Sequence, residues 1–370
     1  MYDVIVIGAG PAGSITAAAA ARAGYRVLVL ERYTSCRSPC AGYISRTINM
    51  ELPDDSVIQS KITKMRTYLP DLSFHDFELN GLVVDRPMFD TALAQRAKEA
   101  GAEIRWDSPL TELISGGIKF RDGKTYEKAY GKLIVGADGV FSKTASLLGL
   151  QQHRFAVCAQ YHLKGIKTLA RTCEIFFDSD HAPGGYVWIY PTGEDCARVG
   201  LGITEGPGLK SPRAYLDEFI SHSHIAGRLS GIKTEYITGA LPIGGLREKL
   251  CYGNILLAGD SAGMADPITG AGINNAMLAG EIAGNTVVKA LENDDLTILA
   301  QYETRINRLL GGPLKRALEK RKRLDACYTS NELLQEHLPE LWVTFKEYWE
   351  INYSTGASPG TRTAPPSAEV

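Results

Sequence analysis

Three short apolar runs, each closing on a glycine and two of them on an acid beside it, predict an α/β fold with a Rossmann-like nucleotide-binding sheet at its centre. They are residues 3–8, 132–136 and 254–259. The first run leads into Gly8-Ala9-Gly10-Pro11-Ala12-Gly13, then a small-residue helix pattern, then a second apolar run at 26–30 that closes on Glu31. This is a βαβ unit. Gly8, Gly10 and Gly13 permit a tight turn, close backbone approach to a pyrophosphate, and close packing of helix on strand, with the pyrophosphate at the positive helix end. Glu31 falls at the tip of the second strand, where a carboxylate accepts the adenosine ribose hydroxyls and repels a phosphate on that ribose. NADP is therefore disfavoured in this unit.

The other two runs extend the same reading. Residues 132–136 continue to Asp138 and Gly139, and residues 254–259 continue to Asp260 and then through a glycine-rich turn into a long small-residue helix. Strands of this kind bring backbone and a carboxylate to the carboxyl edge of a doubly wound sheet, where ligands bind. Gly270-Ala271-Gly272-Ile273 imitates the first glycine motif but follows Asp266-Pro267 rather than a strand. It reads as a turn before a helix, and the chain holds no second complete dinucleotide unit. Between these parts, short strands rich in glycine and aromatic residues predict an inserted antiparallel sheet. The expected division is a nucleotide domain at 1–62, 87–150 and 251–310, a substrate domain at 63–86 and 151–250, a helical region at 311–354, and a disordered tail at 355–370.

Composition excludes several classes. A net charge of −2 over 370 residues argues against a nucleic-acid binder. Seven cysteines, an odd number with no CxxC pair, suit a reducing compartment and offer no zinc or iron–sulfur frame. The seven histidines form no HxxH or HExxH pattern, so no metal is expected. The first strand begins at residue 3, which leaves no room for a signal peptide, and no apolar run approaches the ~20 residues of a membrane span. A cytoplasmic protein is expected, with peripheral contact at the cytoplasmic membrane face left open by one feature. Lys315, Arg316, Lys320, Arg321, Lys322 and Arg323 precede Trp342, Phe345, Tyr348 and Trp349. Basic residues near an anionic leaflet gain about 1 kcal/mol each, but a solvated helix face packing its aromatics inward is the ordinary reading and is weighed slightly higher.

Two segments narrow the reading. Pro183-Gly-Gly-Tyr186-Val-Trp188-Ile-Tyr190-Pro191 sets large aromatics on one strand face, with Arg198-Val-Gly200-Leu-Gly202 as its partner strand. Cys36-Arg-Ser-Pro-Cys40-Ala41-Gly42-Tyr43 follows the second nucleotide strand. Over about residues 1–310 the chain resembles the glutathione-reductase-type flavoproteins of the para-hydroxybenzoate hydroxylase group. Within that group it resembles the geranylgeranyl reductase family, whose members carry a PxxYxWxFP signature and a cysteine-containing loop near the flavin. Tyr190 stands where the signature has Phe, and Ala41 and Tyr43 depart from the commonest glycine-rich loop.

The resemblance implies bound FAD. Its ADP half would lie on Gly8, Gly10, Ala12, Gly13, Glu31 and Arg32. Cys40, Ala41, Gly42 and Arg86 would lie near the cofactor, and Asp138 and Gly139 belong to the family's second fingerprint. Asp260 would hydrogen-bond the ribityl chain, and Gly270, Gly272 and Ile273 would open a helix whose positive end faces the flavin. Tyr186, Trp188, Tyr190 and Pro191 would bind substrate, with Cys40 and Tyr43 as catalytic candidates and Cys36 incidental.

The implied activity is FAD-dependent saturation of geranylgeranyl chains, foremost on archaeal-type ether phospholipids. Electrons would come from NAD(P)H or from a redox protein such as ferredoxin. An isolated prenyl double bond has no carbonyl to accept hydride density, so a proton must lead or accompany the hydride. Protonation at the less substituted carbon leaves a tertiary cation, which aromatic faces stabilise by roughly 0.5–2 kcal/mol. An ordinary thiol of pKa about 8.5 is a weak acid for that step. The competing readings are a flavin monooxygenase or halogenase, another prenyl (quinone or diphosphate) reductase, and a non-enzymatic electron-transfer flavoprotein.

Overall fold

The computed structural model describes residues 1–46, 51–204, 206 and 208–350, and the expected tail at 355–370 lies outside them. Two sheets organise the chain. In the first, the strands run in the order Cys251–Tyr252, Ile255–Leu257, Thr125–Gly136, Tyr2–Ile7, Val27–Leu30, Glu103–Arg105. From Ile255–Leu257 to Glu103–Arg105 every neighbour is parallel. Val4, Ile5, Val6 and Ile7 are at most 4 % exposed. A parallel sheet is covered on both faces, which is why these strands read as unbroken apolar runs instead of alternating ones.

Pro11–Arg22 is the crossover helix from the first strand to the second, opened by Pro at its first turn. Its run of alanines follows from its neighbours. It is sandwiched between the sheet and the helix Ile273–Glu292, whose Gly280 and Gly284 meet Ala12, Ile15 and Ala19 so closely that a side chain there would collide. Thr16 Oγ1 seals the contact, donating to its own Ala12 carbonyl at 2.8 Å or to the Gly280 carbonyl at 3.1 Å.

The second sheet has the order Ile232–Pro242, Phe155–Lys164, Cys196–Thr204, Tyr186–Pro191, Thr172–Phe176, Ile58–Tyr68, Phe74–Val84, Tyr43–Ser45. It departs from the expected antiparallel pattern at one place. Thr172–Phe176 and Ile58–Tyr68 are parallel neighbours, which no hairpin can join, so the chain between them makes a long excursion. The expected boundary between residues 62 and 63 also falls inside the unbroken strand Ile58–Tyr68. The second sheet starts as early as Tyr43, because Tyr43–Ser45 pairs with residues 81–83 as its edge strand.

The two faces of this sheet serve different cores. Val187, Ile189, Val199 and Leu201 pack with Leu216 and Phe219 of the helix Pro212–His222. On the other face, Trp188, Tyr190, Ile175 and Met65 meet Leu334, Leu338 and Trp342 from the C-terminal region. That region holds the helices Gly312–Cys327 and Asn331–Leu341 and a turn at Lys346–Trp349. A buried ion pair ties a short helix to this sheet: Glu174, on the strand Thr172–Phe176, is fully buried and receives two bonds from Arg228 of the helix Ala226–Leu229, at 3.0 and 2.7 Å. Removing the cation leaves the buried carboxylate, among the described residues, with only the Tyr68 hydroxyl, at 3.3 Å, and breaking a buried pair typically costs 3–5 kcal/mol. Arg228→Met should lower unfolding free energy by about 3 kcal/mol, the low end because Arg228 keeps 24 % side-chain exposure. Urea unfolding would check it, and an unchanged midpoint would refute the pair's role.

Candidate functional site

The three glycine turns meet at one edge. The Ala137 N–H donates to the Ile7 carbonyl at 2.8 Å and the Ala258 N–H to the Gly136 carbonyl at 3.0 Å, so the ends of three parallel strands are bonded side by side. Gly8 has φ +102°, and a Cβ on it would run into the Ala137 carbonyl, while a Cβ on Gly13 would strike the Gly8 carbonyl. At Gly10 a Cβ would meet nothing within 4 Å. The first and third glycines are thus required by packing, and the second leaves bare backbone facing open space.

That space is a cavity of about 1320 Å³, lined from both sheets. A typical ligand site holds roughly 300–1,000 Å³, so this one has room beyond a single small ligand. At its nucleotide end Glu31 is fixed by its own neighbours: Oε2 accepts from the Ala9 N–H at 2.9 Å and Oε1 from the Tyr33 N–H at 3.1 Å. Arg32 is exposed beside it, its guanidinium 5.1 Å from the Tyr33 ring. Asp138 lines the cavity but spends its carboxylate on protein groups. It accepts from Ser142 Oγ at 2.6 Å and from the Thr144 N–H at 2.8 Å, closing the turn that carries Gly139.

Arg86 opens the helix Arg86–Glu99, and Asp85 caps it by accepting from the Met88 N–H at 3.0 Å. One turn on, Asp90 receives Arg86 Nη2 on both carboxylate oxygens at 3.1 Å. Burial works against charge on Arg86, but the Asp90 carboxylate opposes that and Arg86 stays a cation. Asp260 sits on the turn Gly259–Ala262. Burial raises its pKa, with Arg86 opposing. Among the described residues no hydrogen bond reaches the Asp260 carboxylate, and it faces the cavity beside Gly272. A turn locked by Asp266, which accepts from the N–H groups of Ile268 and Thr269 at 2.9 and 2.8 Å, presents Gly270, Gly272 and Ile273 to the same space.

At the other end the cavity becomes an aromatic chamber. Tyr186, Trp188 and Tyr190 line it at alternate positions of one strand. Pro191, expected with them, is a correction: it has the parity of Val187 and Ile189, is buried, and is not among the residues that line the cavity. The Tyr186 hydroxyl donates to the Thr269 carbonyl at 2.5 Å, joining the chamber wall to the glycine turn. Tyr43 packs on Tyr190 with ring centroids 5.7 Å apart. Burial raises the pKa of Tyr43, Tyr186 and Tyr190 and pushes the Cys158 thiol up to about 12.

Cys40 and Cys36 both line the cavity. The Gly42 N–H donates to Cys40 Sγ at 3.4 Å. Cys36 lies toward Asp90, its thiol pushed up to about 11 by burial and by that carboxylate. Sequence reasoning missed Asp90 as the partner of Arg86, and Met65, Phe77 and Leu79 as chamber wall. It also missed Trp342, which is 1 % exposed, sits edge-on to Phe177 and Tyr186 at 4.9 and 5.2 Å, and donates from Nε1 to Thr67 Oγ1 at 2.9 Å. The aromatic-rich stretch was visible, but nothing local ties Trp342 to a strand so far away in the chain. Of that stretch Trp342, Phe345 and Tyr348 turn inward, while Trp349 is exposed with the Arg316 guanidinium 5.2 Å from its ring.

The fold and cradle define an oxidoreductase of the FAD-dependent class. Residues 3–36 match the family described as FAD dependent oxidoreductase, and residues 155–237 match the geranylgeranyl reductase catalytic domain. The chain belongs to the digeranylgeranylglycerophospholipid reductase family. It is 35 % identical to the digeranylgeranylglycerophospholipid reductase of Methanocella arvoryzae over 335 residues, covering 85 % of this chain and 84 % of the relative. With that of Methanosarcina acetivorans it shares 37 % over 322 residues, 80 % and 78 % of the two chains. A solved geranylgeranyl bacteriochlorophyll reductase-like protein of Thermoplasma acidophilum superposes with a TM-score of 0.84 at 26 % identity, over 95 % of this chain and 94 % of that one. A flavin-dependent brominase superposes at 0.72 with 18 % identity over 91 % of each chain, a likeness of fold alone.

The residues present fit FAD. Bare backbone at Gly10, a carboxylate on Asp260 with no protein partner among the described residues, and a cavity larger than one small ligand are what such a group requires. One buried group supports the Asp260 turn from behind. His153 packs on Gly263 and Gly244, and burial, with Arg247 adding to it, lowers its pKa from 6.5 to about 4. The unfolded chain therefore binds this proton first as pH falls, so stability is lost between about pH 6.5 and pH 4. Unfolding midpoints measured across that range should decline, and His153→Gln should flatten the decline; an identical slope in the variant would exclude His153 as its source.

Proposed function

We propose that this chain saturates the C=C bonds of geranylgeranyl chains on archaeal-type ether phospholipids, using FAD. Its electrons would come from NAD(P)H or a redox protein such as ferredoxin, and it would meet its substrate at the cytoplasmic face of the membrane. Among the described residues no helix is long and apolar enough to cross a membrane, so a lipid substrate would have to enter by a surface opening. The observation that carries the reading is the continuity of one cavity from the glycine cradle to a chamber walled by Tyr186, Trp188, Tyr190 and Trp342. Exposed Phe77 and Trp349 line that same cavity and suit an apolar entrance.

When bound and reduced, FAD supplies the hydride. Gly8, Gly10 and Glu31 would hold its ADP half, Asp260 its ribityl hydroxyls, and Gly270, Gly272 and Ile273 the flavin side. The chain's remaining work is to exclude water, orient the alkene and deliver a proton. The ring faces of Trp188 and Tyr190, tilted 32° to each other with centroids 6.3 Å apart, would favour a developing tertiary cation by roughly 0.5–2 kcal/mol. Tyr186 is held by its bond to Thr269 and so serves as wall. Cys40 and Tyr43 both line the cavity and would be the groups that position or protonate the alkene.

The deciding experiment is a single turnover. Anaerobically reduced protein mixed with an unsaturated prenyl phospholipid should reoxidise as saturated product appears by mass spectrometry. Oxygen uptake with an oxygenated product and no saturation would put a monooxygenase in its place. Asp260→Ala should weaken FAD retention about 10- to 150-fold, the loss of a charge-assisted bond of roughly 1.5–3 kcal/mol; tight binding by flavin fluorescence would remove Asp260 from the cofactor site. Cys40→Ser should keep FAD yet lower kcat and kcat/KM together, the pattern of an interaction made in the transition state. Cys36→Ser should do much less, and equal small effects from both would return Cys40 to a packing role.

A further inference from the structure

We propose that Arg198 is a positioning residue for the Cys40 thiol, an inference that rests on the catalytic reading of Cys40 given above. Arg198 lies on the strand Cys196–Thr204, directly opposite Tyr190 in register, and is 6 % exposed. Among the described residues its side chain makes no hydrogen bond to either strand that flanks it. Nη1 donates to two carbonyls that belong to different segments: Ala41, at 3.1 Å, and Val84, at 3.0 Å. Nη2 lies 3.7 Å from the Asp85 carboxylate, the same group that caps the helix carrying Arg86.

One guanidinium therefore fastens three things: the residue after Cys40, the end of the strand Phe74–Val84, and the capping residue of the helix that carries Arg86. The loop returns the contact through the Gly42 carbonyl, which accepts from the Val84 N–H at 2.9 Å. Gly42 makes this fit. It has φ +85°, and a Cβ there would collide with the Val84 carbonyl and stand 2.8 Å from Arg198 Nη1. Charge alone does not explain such a site, because a buried cation that answers to carbonyl dipoles uses the planar fork of arginine. Without it, two carbonyls lose their buried donor and the segment at Ala41 is held only by its neighbours at Gly42 and beyond, where the edge strand begins.

The sulfur is then held directly by the Gly42 N–H, at 3.4 Å, and through Ala41 by Arg198. Displacements of about 1 Å in a group that acts on substrate can cost about 100-fold in rate, so Arg198 acts on turnover without touching the alkene.

The test uses the full-length, FAD-loaded protein and two readouts: turnover of prenyl phospholipid, and the rate at which iodoacetamide alkylates Cys40, followed on its tryptic peptide by mass spectrometry. Arg198→Met should keep FAD and the KM for lipid, lower kcat about 10- to 100-fold, and raise the alkylation rate of Cys40 relative to that of Cys251. Arg198→Lys should fall between, with charge retained and the fork lost. Gly42→Ala keeps Arg198 but pushes the loop from it, and should give the same signature should Arg198→Met fail to fold. Folded, FAD-bound variants with unchanged kcat and unchanged Cys40 alkylation would overturn the assignment. Cys40→Ser separates this result from the parent reading. Full turnover in Cys40→Ser removes the catalytic role of the thiol, and the alkylation arm then decides positioning by itself.

Discussion

The structure depends on a close approach of backbone to backbone at the carboxyl edge of the parallel sheet. The first strand ends at Gly8, the strand Thr125–Gly136 ends beside it, and a side chain at Gly8 would occupy the space of the Ala137 carbonyl. Because those two turns touch, the third, at Gly259, can bond to the second. Three strand ends then present peptide groups and carboxylates to one cavity. The helix Pro11–Arg22 can approach because it is built of alanine, and the helix Ile273–Glu292 can cover it because Gly280 and Gly284 carry nothing. Small residues far from the cavity are thus part of what brings Gly10 and Asp260 to it.

The second sheet solves a different problem with the period of a strand. Tyr186, Trp188 and Tyr190 fall on one face and Val187 and Ile189 on the other. A shift of one residue would exchange a chamber wall for the core beneath the helix Pro212–His222. Gly200, opposite Trp188 in register, leaves room for the indole to lie over the neighbouring strand. The Tyr186 hydroxyl then reaches the carbonyl of Thr269, so the register of this strand also fixes where the glycine turn stands.

What could be read from the sequence was what is local in it. The βαβ unit, Glu31 at its strand tip, Asp260 on its turn and the aromatic alternation are all set by residues a few positions apart. What escaped was set by pairing across the chain. Trp342 completes the chamber through Thr67, Arg198 binds Ala41 and Val84, and Tyr43–Ser45 joins the second sheet through residues 81–83. Asp138 shows the same limit in reverse. Its place at a strand end was visible, but its carboxylate is claimed by Ser142 and Thr144, a helix cap that looks identical in sequence to a ligand contact. Pro191 was grouped with its neighbours by motif, although strand parity alone sets it on the other face.

Charge is distributed along the cavity in a way that bears on the chemistry. Glu31, Arg86, Asp90 and Asp260 stand at the nucleotide side, where a polar, anionic cofactor can share their hydration. Toward the chamber, burial raises the pKa of Tyr43, Tyr186 and Tyr190 and of the Cys158 thiol, so these groups stay neutral. A neutral aromatic wall would offer a transient carbocation its ring faces and no strong base, and so would not invite loss of a proton before hydride arrives. A buried carboxylate in that wall would stabilise the cation more strongly but would also be the base that returns it to alkene. The weak, diffuse attraction of aromatic faces is therefore the better match to a reaction that must add two hydrogens in sequence.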